Sequence, residues 1–243
     1  MGVERMLKLL VVVFFVLVVA IAAWPQNAQA PIEPKSENPA AAPPEIHFTL
    51  TFPQATPPFF TVAIEATGRA EYKSTPDLKN EGDPYTIEFT ASEATRTRLF
   101  ELARQLNFFQ GNYDYNKKVA FTGTKTLTFK NGTEQHQTTY NWSQSPQIQE
   151  ITTTFLNISN TIEMGRQLRD KYRYDKLGVD AILASMETEA KDNRLAELQI
   201  IEPTLSRMAK DTSLMNISRR RAEFLLSKVP PGTATASTGQ PQP

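Results

Sequence analysis

The sequence predicts an α+β protein: a mainly antiparallel sheet with two helices packed on it, followed by a small all-helical extension. Three observations carry this reading. Apolar residues alternate with period two between residues 46 and 90. They recur every three to four residues around 99–109 and 148–162, and beyond about residue 171 no strand pattern remains. The resulting order, β-β-β-β-α-β-β-α, suits strands paired with their neighbours and helices gathered on one face.

The first strand is read from Ile46, Phe48, Leu50 and Phe52, which alternate with His47, Thr49 and Thr51. Phe60, Val62, Ile64 and Ala66 alternate with Thr61, Ala63 and Glu65 in the second, and Gly68 turns it into a short partner holding Ala70 and Tyr72. After a polar loop over 76–84, Tyr85, Ile87 and Phe89 mark the fourth strand. The run Thr90, Ala91, Ser92, Glu93 has the spacing of a capping box and predicts a helix with Leu99, Leu102, Leu106 and Phe109 on one stripe, stopped by Gly111. Two β-rich runs, 125–130 and 133–140, flank Asn131-Gly132, the dipeptide of a type I′ hairpin turn. Ser145-Pro146 then supplies an N-cap and a first-turn proline, and Ile148, Ile151, Phe155, Ile158 and Ile162 form the apolar stripe of a helix lying across the sheet. Its polar side is mostly Thr, Asn and Gln. Further helices are marked by Val179, Ile182, Leu183 and Met186, by a Leu195–Met208 pattern split near Pro203, and by Leu214, Ile217, Phe224 and Leu225 with cap candidates at 211–213.

The 243 residues thus divide into 1–30, 31–45, 46–170, 171–229 and 230–243. The first stretch reads as an export signal. Arg5 and Lys8 precede an uncharged apolar run over 9–24, and Ala28-Gln29-Ala30 has the small-x-small form a signal peptidase reads. Residues 9–24 span roughly 24 Å as a helix, short of the ~30 Å hydrocarbon core, which favours cleavage. Pro31, directly after the candidate cleavage point, keeps an uncleaved signal-anchor open. In both cases the basic flank holds the N-terminus inside and the remaining chain is expected outside the cytoplasm, in the periplasm or its equivalent, soluble or anchored by 9–24. The 31–45 stretch and the 230–243 tail are Pro-rich and polar, with no core-forming period.

Composition narrows the chemistry. The chain has no Cys, two His, and 26 basic against 26 acidic residues. That excludes disulfides, a cysteine nucleophile and a thiolate zinc site, and it argues against a nucleic-acid coat. His47 and His136 sit on separate strand patterns, so no metal centre or cofactor is expected. No G-x-S-x-G and no phosphate-binding glycine loop occurs. Two concentrations of chemistry remain. Phe108, Phe109, Tyr113, Tyr115, Phe121 and Trp142 surround the segment before the hairpin; the phenylalanines read as core closure, whereas Tyr113, Tyr115 and Trp142 are candidates for an interaction surface. Arg219, Arg220 and Arg221 are the second candidate surface, facing anionic lipid or an acidic partner, or else forming a solvated helix face.

The stretch 203–226, with Asp211 in its turn and Arg219–221 then Ala222 on the following helix, resembles one HEAT-type helical pair. The resemblance implies a local pair and not a solenoid, which needs several stacked repeats. The 46–168 layout is similar to uncharacterised exported bacterial α+β domains; their first-strand loop often carries a Cys motif, where this chain has Pro53 and Pro58. That similarity implies no activity. The expectation is a non-enzymatic cell-envelope protein acting through contacts with a protein partner, membrane contact coming from its N-terminal segment. A carboxylate-based exported hydrolase and a ligand-binding module using the aromatic loop are the alternatives.

Overall fold

The structure, a computed structural model, describes residues 42–76, 78 and 84–230. The export segment with Ala28 and Ala30, the start of the Pro-rich spacer, most of the 76–84 loop and the 231–243 tail lie outside the described residues.

Strands β1 (Glu45–Thr51), β2 (Phe59–Glu65), β3 (Arg69–Thr75), β4 (Tyr85–Thr90), β5 (Thr124–Asn131) and β6 (Glu134–Tyr140) form one antiparallel sheet in the order β4-β3-β2-β1-β5-β6. The α+β class read from the sequence is the observed one, and the alternation sets the register. Ile87, Tyr72, Val62, Phe48, Leu127 and Thr138 stand side by side across the six strands. Their neighbours in each strand point the other way, giving a half-exposed face rich in Thr, Glu and Lys. Helices α1 (Glu93–Gln105) and α2 (Pro146–Tyr174) cover the apolar face. Phe48, at its centre, stacks on Phe155 of α2 with ring centroids 5.1 Å apart. Under β3 the Glu163 carboxylate of α2 accepts from Tyr72 Oη at 2.8 Å and Ser74 Oγ at 2.7 Å, and pairs with Arg166 at 2.7 Å. Burial, reinforced by the Glu163 charge, pushes the Tyr72 phenol far above its ordinary range.

Several local expectations are corrected. Ser92, not Thr90, caps α1; its hydroxyl accepts from Thr95 N, while Thr90 completes β4. The β5–β6 hairpin is present, but Asn131 still belongs to the strand and pairs with Glu134. The loop is Gly132-Thr133, and of these only Gly132 has positive φ, at 59°. Glycine at the first central position with a following residue at negative φ is the arrangement of a type II′ turn. Helix α1 does not run to Gly111. It ends at Gln105, and Asn107, Phe108 and Phe109 take left-handed φ of 48°, 52° and 69°. That region costs about 1–2 kcal/mol per residue. Packing holds it there: Phe109 is fully buried and the Phe108 ring lies 4.5 Å from that of Phe129. Gly111 clears space instead, because a Cβ there would press on the Tyr113 ring.

The helical layer comprises α3 (Val179–Lys191), a 3-10 turn over Leu198–Ile201, α4 (Glu202–Lys210) and α5 (Asn216–Leu226). The split near Pro203 is observed. Met215, without a side-chain capping bond, stands at the N-cap of α5, so 211–213 does not cap it; those residues form the preceding turn, where Asp211 accepts from Ser213 N at 2.8 Å. A second core gathers Leu168, Val179, Leu183, Met186, Leu205 and Met208. Helix α2, 29 residues long, gives Ile148, Phe155 and Ile162 to the first core and Leu168 to the second. The expected boundary at 170–171 therefore falls inside a continuous helix, and all described residues belong to one compact unit.

Three contacts seat the helical layer. Asn157 Nδ2 donates to Asn193 O at 3.0 Å, Asn160 Nδ2 to Arg194 O at 3.2 Å, and the Thr161 hydroxyl accepts from Ala196 N at 3.1 Å. Gly165 lets Ile201 approach the α2 backbone, where any Cβ would run into Ile201 Cγ2. Glu197, buried and held at φ 58°, places its carboxylate at the N-terminus of α1: Ser92 N donates to it at 2.7 Å and Ser92 Oγ at 2.8 Å, and Thr95 Oγ1 and Gln199 Nε2 donate as well. In a capping box the third helical residue accepts the N-cap N–H; here a residue 105 positions away does so.

Two substitutions test this seating. Gly165→Ala should lower unfolding free energy in urea by about 1–3 kcal/mol through overpacking, and Ile201→Ala in the same chain should recover part of the loss despite removing apolar volume. Strict additivity of the two losses would contradict the close-approach account. Glu197→Gln should lower it by about 2–3 kcal/mol, since a charge-assisted acceptor is lost where an N–H is buried; an unchanged urea midpoint would remove Glu197 from the cap.

Candidate functional site

Between α1 and β5 the chain runs for residues 110–123 without regular structure, and it is fastened to the segment that follows β6. Asn141 is the hub. Its N donates to Asp114 Oδ1 at 2.8 Å, its Oδ1 accepts from Thr122 N at 2.7 Å, and its Nδ2 donates to Ala120 O at 2.9 Å. Tyr115 N donates to Trp142 O at 2.8 Å. Lys125, on the core face of β5, sends its Nζ among Thr122 O, Gly123 O and Asn141 O at 2.8–3.2 Å. Burial lowers the pKa of this ammonium, yet three carbonyl oxygens replace its water. Gly123, at φ 95°, lets the chain pass Leu50 and Phe52 at the entry to β5.

This lacing forms an open groove of about 360 Å³ lined by residues 112–117 and 143–145. Tyr115, in the lining, meets Trp142, which flanks the groove next to Ser143, edge to face, with ring centroids 4.9 Å apart and planes at 76°. Lys117 Nζ lies 5.9 Å from the Tyr115 ring centre. Trp142 is 37 % exposed, and Tyr113 and Tyr115 are half-buried. Within the lining Ser145 caps α2 by accepting from Ile148 N, and the Ser143 hydroxyl accepts from Ser145 N at 3.2 Å. Asp114 is the carboxylate of the lining, and it is engaged by Asn141. The groove offers aromatic edges, amides, hydroxyls and one ammonium, which suits recognition of a polar chain with apolar side groups.

The structure separates the candidate aromatics by task. Tyr113 donates its hydroxyl to Leu106 O at 2.7 Å and so finishes the end of α1; burial raises its phenol pKa. Tyr115 and Trp142 form a ring pair at the surface, the first half-buried and the second exposed. Phe109 and Phe108 close the core as expected, but Phe121 is 55 % exposed and meets Phe52 edge-on, 5.8 Å between centroids, because the loop carries it outside the sheet. No protein-family model matches the chain, and no curated protein matches it. Arg219, Arg220 and Arg221 lie on α5 in the helical layer and do not line the groove. Arg221 belongs to the fold: it pairs with Asp180 and Glu187 of α3, and this guanidinium draws the Asp180 carboxyl below its ordinary range. Arg219 contacts Asn216, and Arg220 is exposed.

His47 lies 2.6 Å from Glu45, and His136 lies 2.6 Å from Glu134 and 3.0 Å from Gln110. Among the described residues no group of three or more metal-ligating side chains gathers. Asn141, Ser143 and Gln144 were not singled out by sequence reasoning. Both ends of the Asn141 side-chain amide are used in holding the loop.

Asn141→Ala should loosen the loop without dismantling the sheet. Trypsin cleavage after Lys117 and Lys118 should rise several-fold, while unfolding free energy falls by only about 1–3 kcal/mol for the lost hydrogen bonds. Unchanged cleavage would show that the loop is held without Asn141.

Proposed function

We propose that this protein is a non-enzymatic binding module of the cell envelope that holds a segment of a protein partner in the groove beside Tyr115 and Trp142. The observation that carries the reading is this partly exposed aromatic pair, set on a loop whose backbone is fixed from both sides. Pre-organised Tyr and Trp edges give large contact area at small entropic cost, and such residues dominate binding energy where they are central to an interface. The export signal read from residues 1–30 and the Pro-rich spacer after it support a place outside the cytoplasm, with the module set off from the membrane or released from it. A hydrolytic reading lacks its main support, because the groove is lined by a single carboxylate, Asp114, already hydrogen-bonded to the backbone of Asn141.

A photo-cross-linking amino acid at position 142, expressed in the native cells, should yield one discrete adduct. The same probe at Gln137, exposed on β6, should not. Tyr115→Ala should reduce the adduct at least tenfold, corresponding to the loss of a contact worth more than about 1.4 kcal/mol. Equal adducts from both positions, or no effect of Tyr115→Ala, would overturn the assignment of the groove.

A further inference from the structure

The two turns at one end of the helical layer carry large apolar side chains with nothing packed over them. Tyr174 and Leu177, where α2 passes into α3, are 77 % and 82 % exposed; Met215 and Ile217, where α4 passes into α5, are 46 % and 39 % exposed. The turns adjoin. Lys176 Nζ reaches Ser213 Oγ at 2.7 Å and Asp211 at 3.2 Å, Tyr172 Oη reaches Asp211 at 2.8 Å, and Ser218 Oγ reaches Asp180 at 2.9 Å. These are half of the eight large hydrophobic residues exposed among those described.

Each apolar tip has a cation beside it. Arg173 precedes Tyr174 and its guanidinium lies 5.8 Å from that ring centre. Lys176 precedes Leu177. On α5, Met215 and Arg219 are four residues apart, and Ile217 and Arg220 three apart, so each pair shares a side of the helix. The nearby acids are Asp170, Asp175, Asp180 and Asp211, and Asp180 is paired with Arg221. Asp175 is held by Lys171 and Asp211 by Lys176, Tyr172 and Ser213. Among the described residues Arg173, Arg219 and Arg220 enter no ion pair, and of the acids only Asp170 does not either, so this end keeps a local positive excess on a chain whose formal net charge is zero.

We infer that the 174–177 and 215–220 turns form a lipid-facing surface that rests on an anionic bilayer. Apolar tips at the ends of helices enter the headgroup boundary, and the flanking arginines meet lipid phosphates. A protein partner would be met by a concave or continuous apolar patch. Here each exposed apolar group has a cation as its neighbour in the chain or on the same side of the helix, and that pairing complements a negatively charged fluid surface. The inference does not depend on the groove reading.

Because the chain has no cysteine, a single one can be labelled in the full-length protein. Leu177→Cys carrying an environment-sensitive nitrobenzoxadiazole should shift its emission to the blue with phosphatidylcholine vesicles containing about 30 % phosphatidylserine, and not with pure phosphatidylcholine. The shift should vanish in about 0.5 M salt. The same label at Gln137→Cys should not respond, which separates contact at this surface from capture by the N-terminal segment. Adding Arg219→Gln and Arg220→Gln should cut the response roughly 25-fold at limiting lipid, about fivefold for each cation removed. No shift at 177, an equal shift in neutral vesicles, or an equal shift at 137 would overturn the inference. A shift in buffer alone that grows with protein concentration would assign the surface to a second copy of the chain.

Discussion

The Glu197 carboxylate stands at the N-terminus of α1, where the first backbone N–H groups have no intrahelical partner. A buried anion is unfavourable unless donors surround it, and Glu197 has the Ser92 amide, the Ser92 and Thr95 hydroxyls and the Gln199 amide. The positive end of the α1 dipole favours it further. This satisfied charge fixes three things at once: the start of α1 on the sheet, the left-handed backbone at residue 197, and the path of the chain into the Leu198–Ile201 turn. Ile201 then enters the space left by Gly165 on α2, and the second core is built from that point. The helical layer and the sheet are therefore seated on each other by chemistry at residues 193–201 as well as by the shared helix α2.

The groove is supported in another way. Its walls are irregular backbone, and irregular backbone needs hydrogen-bonding partners other than a ladder. Asn141 and Lys125 supply them, the first with both ends of its amide and the second with an ammonium placed among carbonyls. Lys125 belongs to β5 and Asn141 directly follows β6, so the most regular local element of the fold anchors its least regular one. Tyr115 and Trp142 inherit their position from that support.

Elements with a strong period were legible in the sequence. All six strands and the helices could be placed, because burial on one face writes period two or 3.6 into the chain regardless of what covers that face. The misreadings occur where a distant residue takes over a local task. Thr90 and Glu93 have capping-box spacing, but Glu197 completes the cap. Gly111 looks like a helix stop, but tertiary packing of Phe108 and Phe109 ends the helix earlier. Nothing in the polar Thr, Asn and Gln of α2 marks Asn157, Asn160 and Thr161 as the side chains that bind the 193–196 backbone. Tyr113, Tyr115 and Trp142 could be gathered from sequence, but not sorted into a structural phenol and a surface ring pair, since that depends on where one loop is tied down. Likewise, nothing in the run 219–221 distinguishes Arg221, bound to α3, from Arg220.

The sheet order β4-β3-β2-β1-β5-β6 has a kinetic meaning. Strands β1 to β4 are a meander of near neighbours and β5–β6 is a hairpin, so both can assemble from local contacts. Only the β1–β5 seam joins distant parts of the chain, pairing Glu45 with Lys130 and Thr51 with Thr124. A chain made from its N-terminus at about 5–20 residues per second leaves the hydrogen-bonding edge of β1 open for several seconds before β5 emerges. That edge belongs to the strand destined for the centre of the sheet, so beyond Glu45 at its start it has no lysine, acid or proline of the kind that blunts a permanent border. The alternating Ile46, Phe48 and Leu50 make it the segment of the nascent chain most apt to pair with the wrong strand.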